Sequence, residues 1–209
     1  MKLIIITPEK TGPDETALVN QMLANGLDVL HIRKPYYSAN DYSAYINQIA
    51  EQYRSRLVIH GHFELADELK LGGIHLSEAM RKDSLVWEQI RDIPPSKIAT
   101  SFHSWDEIQS NEFMYRYFFI SPVFDSISKP GYKAGIDLAG ARATKQKFLS
   151  ENKYCPGIMG LGGVGPEQIS ILHQNGFDGA AMLGAIWDSK DALEFLLKAK
   201  KVISELIDV

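Results

Sequence analysis

Eight short apolar segments alternate with eight amphipathic segments along the whole chain, and this alternation restricts the fold more than any other feature. The apolar segments are nearly continuous, as strands are when helices cover both faces of a sheet. The predicted strands are Lys2–Thr7, Val29–Arg33, Leu57–His60, Gly73–Leu76, Lys97–Thr100, Tyr117–Ser121, Gly157–Leu161 and Gly179–Leu183. The predicted helices are Asp14–Asn25, Ala39–Gln52, Phe63–Leu69, Trp87–Ile93, Trp105–Asn111, Ile136–Leu149, Pro166–Gln174 and Ala192–Leu206, with Ser38, Ser104 and Ser189 as predicted caps. Strict alternation of this kind predicts an α/β protein with a parallel sheet.

Such a sheet either closes into a barrel or stays open. An open dinucleotide-binding sheet carries Gly-x-Gly-x-x-Gly after its first strand, and no such motif follows Lys2–Thr7. The glycines cluster instead after the seventh and eighth strands, where barrels commonly bind phosphate. No linker or low-complexity segment divides the chain. We therefore predict one domain over residues 1–209 with the fold of a (β/α)8 TIM barrel.

Composition excludes several classes of function. The net charge is −4 and the charges are spread along the chain, which argues against a nucleic-acid or membrane-surface partner. The single cysteine, Cys155, excludes an internal disulfide and a multi-cysteine zinc site. The N-terminal apolar run is too short for a signal-peptide core, and no apolar stretch could span a bilayer. We expect a cytoplasmic protein.

Histidines collect where the predicted strands end. His31, His60, His62, His75 and His103 lie on strands two to five or just after them. The working residues of such a barrel lie past the carboxyl ends of its strands, although rim histidines can also simply cap loops through hydrogen bonds. A histidine-only metal site stays open, although nothing in the spacing is specific for one and no metal ligand is assigned.

Three further features could bind phosphate. Gly162 and Gly163 follow strand seven and Gly184 ends strand eight, where glycine lets backbone N–H groups approach an anion closely. A long segment after strand six contains Ser126, Ser128 and Lys129, which could close over a phosphate or form a solvated loop tip. The guanidinium of Arg33 suits bidentate phosphate contacts, or an ion pair with a rim carboxylate such as Glu64 or Glu78.

Taken in order, these elements resemble the thiamine phosphate synthase/TenI family over essentially the whole chain. The resemblance is carried by His31-Ile32-Arg33, Leu57-Val58-Ile59, Gly73-Ile74-His75-Leu76, Ser101-Phe102-His103-Ser104, Pro122-Val123-Phe124, Ser126-Ile127-Ser128-Lys129, Gly162-Gly163 and the segment from Asp178-Gly179 to Ile186. It implies an enzyme that joins an aminopyrimidine diphosphate to a thiazole phosphate with Mg²⁺ and releases diphosphate. Arg33 and Lys129 would then hold diphosphate, supported by Ser101, Ser126 and Ser128, and Gly162, Gly163 and Gly184 would hold the thiazole phosphate.

The sequence departs from the synthase pattern at the residues that hold magnesium there. After strand three the family has Asn-Asp, and this chain has His60-Gly61. The family's second aspartate, after strand four, falls near Met80 in this chain. Mg²⁺ prefers oxygen ligands, which glycine and methionine side chains lack. The family's lysine after Arg33 is replaced by Pro35.

Two other functions therefore stay open. The TenI branch includes a thiazole phosphate tautomerase, which needs a general acid/base and no cofactor, but its histidine after strand six aligns with Pro122. His31, His60, His62 and Lys129 are the candidate catalytic residues. A regulatory protein that binds thiazole or thiamine phosphate without turnover is the alternative of another class. The expected partner is a small phosphate in every case, while the oligomeric state stays open.

Overall fold

The computed structural model describes residues 1–111, 113–125 and 133–206. Eight parallel strands close into a barrel in which each strand pairs with the next and the eighth pairs with the first. The strands are β1 (Lys2–Ile6), β2 (Val29–Ile32), β3 (Leu57–Ile59), β4 (Gly73–Leu76), β5 (Ile98–Phe102), β6 (Tyr117–Ile120), β7 (Gly157–Leu161) and β8 (Gly179–Met182). The predicted (β/α)8 fold is confirmed.

Helices follow the strands, and ten of them lie in the described part of the chain. They are α1 (Glu15–Ala24), α2 (Ala39–Asn47), α3 (Leu65–Glu68), α4 (Glu78–Arg81), α5 (Ser84–Gln89), α6 (Trp105–Gln109), α7 (Gly140–Ser150), α8 (Pro166–Gln174), α9 (Gly184–Trp187) and α10 (Ala192–Glu205). Two 3-10 helices, Glu51–Arg56 and Pro95–Lys97, precede β3 and β5. Among these described helices, none is both long enough and apolar enough to cross a membrane.

Local capping accounts for one of the differences from the predicted helices. The helix predicted to begin at Trp87 begins at Ser84, because the Asp83 carboxylate accepts the Leu85 N–H at 2.9 Å and fixes its first turn. Ser38 and Ser104 cap α2 and α6 as predicted.

The predicted cap at Ser189 is wrong. The cap of α10 is Asp191, whose carboxylate accepts the Glu194 N–H at 2.9 Å. The Ser189 hydroxyl instead donates to the Ile186 carbonyl at the end of α9, so it closes one helix rather than opening the next.

Apolar side chains form two separate clusters, one inside the barrel and one between strands and helices. Alternate residues of each strand point inward, so the interior cluster takes one residue or two from every strand except β4. Its members are Ile4, Ile6, Val29, Val58, Ala99, Tyr117, Phe119, Met159 and Ala181. Residues that continue this inward alternation past the carboxyl ends of the strands therefore reach the mouth of the barrel.

Candidate active site at the barrel mouth

Three histidines point into the barrel from consecutive strands. His31 lies on β2 two residues after the inward-facing Val29, and His60 follows β3 two residues after the inward-facing Val58. His75 is an inward residue of β4 and continues the register Ile59↔Ile74, which places it beside His60. His31 is fully buried and His75 is 4% exposed. Strand alternation and the register between neighbouring strands thus bring His31, His60 and His75 together, and we call them the histidine cluster.

The cluster is joined by hydrogen bonds and ring contacts. His31 Nδ1 lies 2.9 Å from His60 Nε2, and His31 Nε2 lies 2.6 Å from the Tyr117 hydroxyl. The rings of His60 and His75 stack with centroids 4.3 Å apart. His75 Nε2 lies 3.0 Å from the Ser101 hydroxyl, whereas the buried His75 Nδ1 has no hydrogen-bond partner within the described part of the chain.

Burial keeps the three imidazoles neutral. It lowers the pKa of His31 and His60 well below 6.5, and the neighbouring His75 lowers both further. Burial, with Arg33 and Arg81 adding to it, lowers the pKa of His75 to about 3. A neutral imidazole has one N–H and one lone pair, so at neutral pH each ring offers a lone pair to a hydrogen-bond donor or a metal ion.

His62 lies outside this cluster. Its Nε2 is 2.9 Å from the Tyr37 carbonyl oxygen and its Nδ1 is 3.4 Å from the Glu64 carboxylate. His103 is exposed, and its Nδ1 lies 3.1 Å from the Ser121 carbonyl oxygen. Both contacts are of the loop-capping kind, so the structure does not bring His62 together with the other two candidate catalytic histidines.

Arg33 continues the inward face of β2 beyond His31. Its guanidinium donates to the Glu9 carboxylate at 2.5 Å, and both side chains are about four-tenths exposed. Its ion-pair partner is thus Glu9 rather than Glu64 or Glu78. Ser101 lies on the inward face of β5 against His75. Arg33 and Ser101 therefore both lie on the side of the mouth formed by β2 to β5.

Gly162 and Gly163 adopt backbone angles that favour glycine, with φ of 96° and 63°. A Cβ on Gly163 would lie 2.2 Å from the Asp125 carbonyl oxygen, and one on Gly162 would lie 3.0 Å from Pro122 Cα. The segment after β6 is held there by bonds from the Val123 N–H to the Leu161 carbonyl and from the Phe124 N–H to the Gly162 carbonyl. Close approach of this segment is therefore one reason for the two glycines, besides any anion.

The other predicted phosphate-binding residues fall in two groups. Gly184 is the first residue of α9, two residues after the end of β8, and is half-buried. It therefore lies at the same end of the barrel as Gly162 and Gly163. Ser126, Ser128 and Lys129 lie outside the described residues.

The carboxylates near the mouth do not form a magnesium site. Gly61 and Met80 offer no oxygen, and Glu78 is paired with Lys82. The Asp125 carboxylate accepts the Ala134 N–H. Within residues 1–111, 113–125 and 133–206, the one group of three or more potential ligand side chains that converge on a point is the histidine cluster. The residues present do not fit Mg²⁺, which prefers oxygen ligands.

Sequence reasoning missed two structural partners of the site. Tyr117 is an inward residue of β6. The signal that could have identified it is period-two alternation, which places Tyr117 on the same face as Phe119. A buried ion pair joins Lys34 Nζ to the Glu15 carboxylate at 2.7 Å, and the Tyr45 hydroxyl donates to the same carboxylate at 2.6 Å. It links the segment after β2 to α1 and so supports the backbone next to Arg33.

A family model and the curated relatives of the chain agree on one family. The family model described as thiamine monophosphate synthase matches residues 3–186. A thiamine-phosphate synthase of Desulfitobacterium hafniense is 25% identical over 187 residues, which covers 86% of each chain. A solved thiamine phosphate pyrophosphorylase from Bacteroides thetaiotaomicron is 28% identical, with a TM-score of 0.73 and 98% of each chain covered.

A second solved structure, the thiamine phosphate pyrophosphorylase from Pyrococcus furiosus, is 18% identical with a TM-score of 0.74, covers 98% of this chain and 96% of its own, and shows the fold. The family resemblance noted in the sequence is confirmed by the match over residues 3–186. The chain belongs to the thiamine monophosphate synthase family of enzymes.

Proposed function

We propose that this protein joins an aminopyrimidine diphosphate to a thiazole phosphate and releases diphosphate. The observation that carries the proposal is the family match over residues 3–186. The two glycine turns and Arg33 lie at one end of the barrel and support it. In this reaction the C–O bond to diphosphate breaks, and the lone pair of the thiazole nitrogen forms the new C–N bond. The oxygen keeps the electron pair of the broken bond, so the leaving group needs positive charge more than it needs a base.

The chain's own residues divide this work between the two halves of the mouth. Arg33 can donate to diphosphate oxygens once it leaves Glu9, and the Ser101 hydroxyl can support it. Lys129, with Ser126 and Ser128, is proposed to add charge and hydrogen bonds from the segment after β6. Gly162, Gly163 and Gly184 are proposed to present backbone N–H groups to the thiazole phosphate. No step is assigned to Mg²⁺, because Gly61 and Met80 stand where the family has its magnesium-binding aspartates.

A second candidate is favoured by the histidine cluster. Tautomerisation of a thiazole carboxylate phosphate moves a proton between two atoms of the substrate, and a neutral buried imidazole can accept and return it. His60 is the member of the cluster with partial exposure, so it is the residue we propose for that transfer. His31, which lies 2.9 Å from it, would position its ring.

One set of assays distinguishes these functions. The purified protein is given both synthase substrates, with and without Mg²⁺, and thiamine phosphate and diphosphate are measured together. We expect equal amounts of the two products, and a much slower reaction with Arg33→Met. If neither product appears while the thiazole carboxylate isomerises, the tautomerase candidate replaces the synthase. If neither reaction occurs but thiazole phosphate binds, the protein is a binder.

Thiazole phosphate binding is best measured by the rise in melting temperature that a bound ligand causes. Gly184→Asp places a carboxylate at the proposed phosphate site, and aspartate is well tolerated at the start of a helix. We expect this variant to fold and to lose the ligand-induced rise. A rise equal to that of the unmodified protein would contradict the assignment of Gly184 to the phosphate.

A further inference from the structure

The histidine cluster contains an unsatisfied nitrogen that the synthase reaction does not use. One ring nitrogen from each of His31, His60 and His75 lies within 4.8 Å of the other two. The buried Nδ1 of His75 has no hydrogen-bond partner among the described residues. Such an atom is costly unless a water molecule or an ion satisfies it. The cluster thus has three converging ligand atoms, and one of its buried nitrogens, His75 Nδ1, lacks a hydrogen-bond partner among the described residues.

From this geometry we propose that His31, His60 and His75 bind one divalent transition-metal ion, with Zn²⁺ as the reference ion. Imidazole nitrogen is a preferred ligand of zinc, cobalt and nickel, and three histidines with one open position form a well-known type of zinc site. The nitrogens of a tetrahedral zinc site lie about 3.3 Å apart. This value falls between the 2.9 Å separation of His31 and His60 and the 4.8 Å limit of the cluster.

The outer contacts determine which nitrogens face the centre of the cluster. His31 Nε2 faces the Tyr117 hydroxyl and His75 Nε2 faces the Ser101 hydroxyl, so the Nδ1 atoms of both rings remain for the ion. Hydrogen bonds from the far nitrogen of a ligating histidine normally fix the ring in this way. His60 would bind through Nε2, the atom that already faces His31. Tyr117 and Ser101 are therefore positioning residues for the metal site.

The surroundings give the ring planes a fixed orientation and leave a route for the ion. Phe119 packs against His31 with ring centroids 4.8 Å apart and against His75 at 5.2 Å. His60 is partly exposed, and the adjacent Gly61 has open space where a side chain would stand. The ion can thus reach the cluster from the mouth past Gly61.

The nearby arginines influence what completes the coordination. Arg33 and Arg81 lie close enough to affect His75, and their charge opposes a bare dication. Glu9 offsets the charge of Arg33. Three imidazoles supply no negative charge, so an anionic oxygen, such as hydroxide or a phosphate oxygen, is the fourth ligand that best balances the site.

The experiment uses the full chain after treatment with a chelator. Zn²⁺ and Co²⁺ are titrated by calorimetry, and the visible absorption of bound Co²⁺ reports its ligands. We expect one ion per chain and no comparable binding of Mg²⁺. His60→Gln and His75→Gln should lower the Zn²⁺ affinity by more than about 100-fold, whereas Tyr117→Phe should lower it by about 10- to 100-fold as an outer partner. The matched control is His62→Gln, which should bind like the unmodified protein.

His60 lies after β3 and is only half-buried, so His60→Gln should fold even if a substitution within a strand does not. The proposal is overturned if the unmodified protein binds neither ion, or if His60→Gln and His62→Gln bind Zn²⁺ equally well. Metal binding does not depend on which reaction the protein catalyses. Its failure would therefore leave the proposed function untouched.

Discussion

The two halves of the barrel mouth differ in what they present to a ligand. The half formed by β7 and β8 presents backbone, through Gly162, Gly163 and Gly184. The half formed by β2, β3 and β4 presents the buried imidazoles of the histidine cluster. Backbone atoms in a fixed conformation bind an anion by geometry, whereas imidazoles respond to protons and metal ions. Substitutions that add bulk should therefore disturb the half formed by β7 and β8. The half formed by β2, β3 and β4 should instead respond to pH and to metal ions.

The largest effect is expected from adding one methyl group to the backbone half. Gly163→Ala forces a positive φ on alanine and places its Cβ 2.2 Å from the Asp125 carbonyl oxygen. Strained φ and steric overlap together should lower the free energy of unfolding by about 3–5 kcal/mol. Urea unfolding followed by circular dichroism measures this change.

Gly61→Ala is the matched control in the other half. Gly61 has no positive φ, and no atom lies within 4 Å of an added Cβ. Its unfolding free energy should change by less than about 1 kcal/mol. Equal losses in the two variants would contradict the difference between the halves.

Acid should destabilise the histidine half. The pKa of His75 is about 3 in the folded protein, below the 6.5 of a free histidine, so protons bind preferentially to the unfolded chain at intermediate pH. The contribution of His75 to the free energy of unfolding is therefore fully present above pH 6.5 and is lost as the pH drops below it. One such histidine contributes about 2 kcal/mol of this loss between pH 6.5 and 5.

His75→Gln tests the acid effect in metal-free protein. Glutamine does not titrate, so the loss of unfolding free energy between pH 6.5 and 5 should be about 2 kcal/mol smaller than in the unmodified protein. The matched control is His62→Gln, which also removes one histidine but lies outside the cluster. If both variants follow the same curve, His75 is not the group that resists protonation.

The barrel could be predicted because its periodic signals are repeated eight times. Each strand is a nearly continuous apolar segment, and errors of a residue or two at its ends do not change the alternation. The histidine cluster could be predicted only in part. Period-two alternation places His31 and His75 on inward faces, but only the register between β3 and β4 shows that His60 lies beside His75. His62 is two residues from His60, yet the turn after β3 directs it to Tyr37.

Side-chain partners were harder to predict than positions. Arg33 has several carboxylates within reach in the sequence, and the pairing with Glu9 depends on how the segment after β1 crosses the mouth. The buried ion pair of Lys34 and Glu15 could not be predicted either. A lysine at the end of a strand normally faces water, so the sequence gives no sign that this one is buried. The glycines were predicted for an anion, but their contacts with the segment after β6 required coordinates.

The smallest expected effect concerns the pair of Arg33 and Glu9, where the histidine half would meet diphosphate. Both side chains are about four-tenths exposed, so Arg33→Met should change the free energy of unfolding by less than about 1 kcal/mol. Loss of a charged hydrogen bond to diphosphate should weaken its binding by about tenfold, or about 1.5 kcal/mol. Calorimetric titration with diphosphate measures both this variant and its counterpart, Glu9→Gln.

Glu9→Gln should act in the opposite direction. Removing the carboxylate frees the guanidinium of Arg33 to donate to diphosphate, so binding should tighten, by no more than about fivefold for an exposed pair. The combined variant should bind as weakly as Arg33→Met, because Glu9 acts only through the arginine. Tighter binding that persists without Arg33 would show instead that Glu9 repels the ligand directly, and the arginine would lose its assigned role in this half of the mouth.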